Sequence, residues 1–321
     1  MGTSGADAGR VARLLLRGLP GAVTLAIVAF QGRTAAAQAF TPPQRLGAIT
    51  LAWQYIDNTG HRLSDGYYAA RGQSVSQSIL LDADYAITDR LAVTAGIPYV
   101  WAKYTGSLPP LSGRPRDACQ CWTSGFQDFS FGVRHRFGNG SWAVTPLARY
   151  GQPSHDYPFQ GEAALGKNLT EFQLGVATGV RLGGWASRAN LQAAYTYAFV
   201  EKALDDISVN RSNAFAEIGY VVTGRLYFRV AGLWQRTHGG LRLGSDTGVP
   251  FPVPGEVNTP ERRAAGDQLR RVNYWHVAGG LAFDAGPVDV FASYVRYVAG
   301  TDTHAGQAFT VGTSWYFDLS N

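Results

Sequence analysis

Residues 85–100 read YAITDRLAVTAGIPYV, two runs that place a large or apolar side chain at every second position and meet at a three-residue polar turn. Successive side chains on an extended strand point to opposite faces, so Leu91, Val93, Ala95, Ile97 and Tyr99 share one face. Thr88, Asp89 and Arg90 sit at the reversal, where a short polar side chain bonds its own backbone. The stretch is a β-hairpin, and its period of two recurs along the chain. It predicts twelve strands, at 45–57, 74–87, 91–103, 127–137, 142–151, 168–182, 188–200, 211–222, 226–236, 272–283, 288–298 and 307–319.

One face of each segment is apolar and bulky: Ile49, Leu51, Trp53 and Tyr55 in the first, Phe129, Phe131 and Val133 in the fourth, Phe172, Leu174 and Val176 in the sixth. The other face is small or polar, as at Asn190, Gln192 and Thr196. A soluble sandwich also alternates, but it turns its apolar face inward beneath a richly charged surface. Charged residues make up only 16% of this chain, below the usual quarter, which puts the apolar face outside, against lipid.

The connections agree. TDR (88–90), GNGS (138–141), GGWAS (183–187), TGR (223–225) and DAGP (284–287) are tight, whereas 58–73, 104–126, 152–167, 201–210 and 237–271 are long and polar, with a shorter one at 299–306. An even strand number with short periplasmic turns alternating with long outer loops is the pattern of outer-membrane barrels. Tyr85, Trp142, Tyr220 and Trp315 fall near the tight turns, and Trp101, Tyr197, Trp234 and Trp275 near the long loops, as two interfacial girdles require. The expected fold is all-β: a transmembrane antiparallel β-barrel of twelve strands over residues 40–321.

Residues 1–39 stand apart. Arg10, Arg13 and Arg17 precede the apolar run LPGAVTLAIVAF, and Ala37-Gln38-Ala39 follows, the three parts of a cleavable Sec-type signal peptide. The run is too short to cross a bilayer as a helix. No Cys stands at the cut and no paired arginines precede the core, so neither a lipoprotein nor a twin-arginine signal is indicated; an uncleaved anchor is the alternative. Its removal takes away four arginines and one acid, lowering the formal charge from +5 to +2 and leaving no basic run to grip nucleic acid. The expected location is the Gram-negative outer membrane. Expected partners are its lipid and lipopolysaccharide, the barrel-assembly machinery and a small solute, with the oligomeric state open.

Inward-facing charges are the main candidate constellation: Asp82, Asp84, Asp128, Arg134, Arg136, Glu171, Arg181, Glu217 and Arg229, with His276 beside them. In a water-filled lumen they set a field that sorts solutes; in a narrow barrel they pair across the interior and fill it. Cys119 and Cys121 are candidates for a loop disulfide, or stand as two loop thiols. No His or Cys has a recognised zinc spacing, and no cofactor is expected. His61, His155, His238 and His304 fall in or beside separate loops. No Gly-x-Ser-x-Gly elbow, His-Glu-x-x-His or phosphate loop appears, and the local run Ser154, His155, Asp156 reads as a loop turn more simply than as a triad. The loop at 237–271, with PFPVPGE and Arg262, Arg263, Arg270 and Arg271, reads either as an inward constriction or as a contact for lipopolysaccharide phosphates.

The phrases YAITDRLAVTAGIPYV, FQDFSFGVRHRF, RYGQPSHDY and ALGKNLTEFQLGVATG resemble the outer-membrane barrels grouped as transporters of the MetA pathway of phenol degradation. The likeness is clearest from Ser74 to Leu182. It implies uptake of aromatic or other apolar solutes and no catalytic residue. The ending YFDLSN and the Cys-Gln-Cys loop depart from that pattern. The expected function is therefore passive uptake of small apolar or aromatic solutes; a barrel enzyme acting on lipid and a structural envelope barrel are the alternatives. Because Ala37 and Ala39 present small side chains to the signal peptidase, mass spectrometry of the purified envelope protein should find Phe40 at the mature terminus, and an intact Met1 would exclude the cut.

Overall fold

The computed structural model describes residues 39–70, 72–106, 117, 119–204, 206–242 and 265–319. The strands are β1 (Leu46–Arg62), β2 (Tyr68–Ala69), β3 (Gln73–Ala86), β4 (Leu91–Thr105), β5 (Thr123–Phe126), β6 (Asp128–His135), β7 (Phe137–Gly138), β8 (Trp142–Pro153), β9 (Glu171–Arg181), β10 (Ala189–Val200), β11 (Val209–Val221), β12 (Leu226–Gly239), β13 (Asn273–Asp284), β14 (Val288–Thr301) and β15 (Thr303–Asp318). The wall runs β1, β3, β4, β6, β8 and then β9 to β15, which pairs β1 again. The short β2, β5 and β7 add to β1, β4 and β8, so twelve antiparallel strands close a barrel. Closure satisfies every strand on both sides, which is what lets a sheet stand in hydrocarbon.

The tight turns are built by their polar residues. Thr88 Oγ1 accepts the amides of Arg90 (3.2 Å) and Leu91 (2.9 Å), and Thr223 Oγ1 accepts those of Arg225 (3.3 Å) and Leu226 (3.0 Å). Asn139 Oδ1 accepts Ser141 and Trp142, and Asp284 Oδ1 accepts Gly286, whose φ of 97° suits glycine. The fifth turn holds one turn of 3-10 helix, Gly184–Ala186.

The two faces differ as the alternation requires. Outside, Phe131 (53% exposed), Ile218 (60%) and Val277 (50%) stand bare, while Ala86, Ala92 and Ala198 inside are fully covered. Outer aromatics cluster near the strand ends: Tyr85 stacks on Phe317, Tyr99 meets Trp101 and Phe126, and Trp234 meets Trp275. Among the described residues no helix is long and apolar enough to cross a membrane, and the crossing falls to strands.

Two features differ from the sequence reading. The fourth wall strand is broken at Gln127, with β5 and β6 end to end beside β4. Pro98 of β4 lacks an amide hydrogen there, and the Gln127 amide bonds its carbonyl (2.9 Å), the bulged setting in which a sheet tolerates proline. The connection expected at 299–306 shrinks to Asp302 alone, at φ 54°, because β14 and β15 extend to meet it.

Inside, large side chains lie over glycines. A Cβ on Gly219 would overlap the Tyr227 hydroxyl, whereas Gly232, on the outward face with Phe228 and Val230, has open space. Gly219→Val should therefore cost about 1–3 kcal/mol by overpacking, and Gly232→Ala should stay within about 0.5 kcal/mol of wild type, measured from urea unfolding of the purified barrel in detergent.

Candidate functional site

The inner wall brings several of the candidate residues into pairs. Asp84 on β3 accepts Arg134 Nη2 of β6 at 2.6 Å, reaching over β4, and both are buried. Asp82 beside it lies over Gly96, where any Cβ would collide with its carboxylate. Glu171 on β9 pairs with Arg211 of β11, a partner the sequence did not single out. Glu217 and Asn190 share the hydroxyl of Tyr227, at 3.4 and 3.1 Å, and the fully buried Arg229 sits within electrostatic range of Glu217. His276 is 2% exposed and stacks on Tyr274 at 4.2 Å. Asp128 accepts the Tyr157 hydroxyl. Arg136 follows β6 at the periplasmic end, its amide on the Arg90 carbonyl at 2.7 Å. Apolar side chains share this lining: Ile56, Leu233 and Val295 pack together, as do Ala52, Tyr227 and Phe291.

The periplasmic mouth is crossed by the chain itself. Thr41 Oγ1 donates to the Asp89 carbonyl (2.6 Å) and the Gln44 amide to the Asp89 carboxylate (2.8 Å), at the β3–β4 turn. Ala39 and Phe40 then pack against Ala143 and Ala177 of β8 and β9, a quarter of the way round the ring. Thr145 Oγ1 donates to the Ala39 carbonyl at 2.6 Å, and the Arg181 guanidinium lies 4.5 Å from the Phe40 ring. Gly179 leaves the space this ring fills.

A second crossing closes on the outer side. The segment after β8, residues 154–170, turns into the barrel: Tyr157 and Leu165 pack on Val100 and Ala102 of β4. Burial pushes the Tyr157 phenol upward, with Asp128 adding to it. Its tip is gripped by Asp117, whose carboxylate accepts the amides of Glu162 (2.9 Å) and Ala163 (3.0 Å), and by Asp267, which accepts Gly161 (2.8 Å). Glu162 then reaches the opposite wall, with Oε2 3.1 Å from His61 Nε2 and its carbonyl on Ser74 Oγ at 2.7 Å. Burial pushes the Glu162 carboxyl up, but His61, Arg270 and His304 more than reverse this and hold it well below the usual range. Lys167 donates to the Arg270 carbonyl at 2.9 Å; burial first, then Arg211 and Arg270, bring its ammonium down to about 7.

Thus Arg270, in the loop that read either as an inward constriction or as a lipopolysaccharide contact, is turned inward between Asp267 (3.0 Å) and Glu162 (3.8 Å). PFPVPGE, Arg262 and Arg263 lie outside the described residues. His61 and His304, expected in or beside separate loops, are cross-strand neighbours on β1 and β15. Cys119 and Cys121 are joined in a disulfide on the exposed outer side.

No family model and no curated protein matches the chain. Among solved structures it is similar to the COG4313 outer membrane channel from Pseudomonas putida F1, with a TM-score of 0.65 and 13% identity over 88% of this chain and 98% of that one. It is also similar to the NanC porin, with a TM-score of 0.50 and 9% identity over 83% of this chain and 98% of the other. The chain has the fold of an outer-membrane β-barrel.

Ser154, His155 and Asp156 form a partial constellation: Ser154 Oγ is 2.8 Å from His155 Nδ1, but Asp156 accepts the Asn168 amide at 2.6 Å and Ser154 donates to the Phe126 carbonyl. The carboxylate that would orient the imidazole is thus turned to another partner.

The buried Asp84–Arg134 pair is testable. Arg134→Met alone leaves Asp84 buried without its cation and should cost about 3–5 kcal/mol, whereas Asp84→Leu combined with Arg134→Met should recover most of that loss. Urea unfolding of the three barrels measures both.

Proposed function

We propose that this protein is an outer-membrane channel for passive movement of small solutes, with apolar and aromatic solutes preferred and no chemistry of its own. The observation that carries the reading is the inner wall, where charges of both signs, Asp82, Arg134, Glu171 and Arg211, line one arc from β3 to β11, and Tyr227, Leu233, Tyr274 and Phe291 line the next, from β12 to β14. Charged rings and narrow constrictions are how pores select, and aromatic faces add stacking surface for a flat apolar solute. The likeness to a barrel described as an outer membrane channel supports the same reading. Lipid and lipopolysaccharide surround it, the barrel-assembly machinery inserts it, and a signal peptide ending at Ala39 exports it.

In this reading Phe40 narrows the periplasmic mouth and the 154–170 strap narrows the outer one. Removal of residues 1–39 keeps Phe40 and leaves its free amine near Thr145 and Gln192, which hold Ala39 in the intact chain. A structural barrel without transport is the second reading, favoured by the two crossings themselves.

Planar-bilayer recordings on the purified barrel separate the two. A channel gives discrete conductance steps, larger in Phe40→Ala, and Arg181→Gln moves ion selectivity toward cations. Liposome swelling should be faster with a neutral aromatic solute than with a sugar of similar size. If neither wild type nor Phe40→Ala conducts and no solute swells the liposomes, the structural reading replaces the channel.

A further inference from the structure

We propose that His61, His304 and Glu162 form a binding site for a divalent transition-metal cation of the zinc class, which fastens the strap to the wall across the outer mouth. The two imidazoles are opposite one another on β1 and β15, their ring centroids 4.2 Å apart. Glu162 arrives from the strap with Oε2 3.1 Å from His61 Nε2 and 4.0 Å from His304 Nδ1. One ligand atom from each side chain lies within 4.8 Å of the others. In a tetrahedral site with bonds of about 2.0–2.1 Å, ligand atoms stand roughly 3.3–3.5 Å apart. Small side-chain rotations therefore convert this cluster into a three-ligand site. Two imidazoles and one carboxylate suit zinc and its neighbours, whereas calcium and magnesium take oxygen alone.

The surroundings point the same way. Asn58 is 3% exposed and has its amide nitrogen 2.8 Å from His304 Nδ1, while its Oδ1 is buried with no hydrogen-bond partner. With the amide turned over, that oxygen faces the cluster as a fourth donor. Arg270 lies 3.8 Å from the other oxygen of Glu162, and Asp117, Asp267 and Asp302 join Glu162 around it. His304 keeps 20% of its side chain exposed, which leaves an entry path from outer water. A simple His61–Glu162 ion pair accounts for one imidazole; it gives no reason for the second at this distance or for the orphaned amide oxygen.

The site stands independently of the channel reading, and binding is its test. Zinc chloride is titrated calorimetrically into the untagged, full-length barrel in detergent, with folding of each variant checked by heat-modifiable gel migration. Wild type and His155→Ala, a histidine outside the cluster, should each bind one zinc per chain. The double variant His61→Ala/His304→Ala should lose saturable binding, and Glu162→Gln, which preserves shape and hydrogen bonding, should bind at least about 10–100-fold more weakly, the loss seen even for residues behind a metal's ligands. Cobalt(II) should give the visible bands of a four-coordinate site in wild type and His155→Ala and not in His61→Ala/His304→Ala. No saturable zinc binding by wild type, or undiminished binding by folded Glu162→Gln, overturns the site.

Discussion

Every backbone amide in hydrocarbon needs a partner from the protein, and the seam between β1 and β15 is where this chain meets that demand. The seam also decides what faces inward. In its lower part Thr50 Oγ1 meets Ser314 Oγ at 2.8 Å and Gln54 meets Thr310 at 3.0 Å, all four buried. Between Leu46 and Gly60 the pairing shifts: Leu46 opposes Asp318, whereas Gly60 opposes Ala305, one residue out of step. A one-residue slip exchanges the faces of a strand. His61 has the same parity as Leu51, which stands bare outside, yet its ring meets Glu162 of the inward-folded strap. The bulge is thus what brings a histidine pair into the mouth.

The two crossings use the ring in complementary ways. Residues 39–44 run from β1 past the Asp89 turn to β8 and β9, and the strap runs from β8 back to β1, β3 and β15. Each is held by polar contacts at its far end and by small apolar packing along its length. Neither is a regular element, so each depends on the closed wall for its order; without a ring there is no opposite side to bind. Elements of this kind, held by few contacts, open at lower free energy than the wall and are where conformational change is least costly.

The wall was legible because lipid imposes a period of two on every strand. Leu81 beside Asp82, or Val133 beside Arg134, announces which face is which without knowledge of the fold. The tight turns were legible for a local reason too, since Thr88, Asn139, Thr223 and Asp284 each bond amides two or three residues ahead. What escaped the sequence has no local signature. Phe40 follows the peptidase site and belongs to no repeat; its place is set by Gly179 and Arg181, far along the chain. Glu162 gains its partners across 101 residues to His61. Asp117 and Asp267, which hold its loop, lie in segments that read only as polar connections.

The inner face shows why so many small residues are needed. Asp84 reaches Arg134 across β4, where Ala92 is fully buried beneath them; Glu171 reaches Arg211 across β10, over Ala198; Tyr227 reaches Asn190 across β11, over Gly219. In each case a long polar side chain skips one strand to find a partner on the next, and the strand it skips presents alanine or glycine opposite one member of the pair. A concave wall of this radius draws inward-pointing side chains together, so a bulky residue at the skipped position would lift the bridge and leave its charges or hydroxyl unpaired at low dielectric. The alternation of large and small around the ring, as much as the alternation along each strand, is therefore a requirement of the barrel. Gly96 beneath Asp82 and Gly219 beneath Tyr227 follow from it, since each forms part of the floor on which the polar interior is laid.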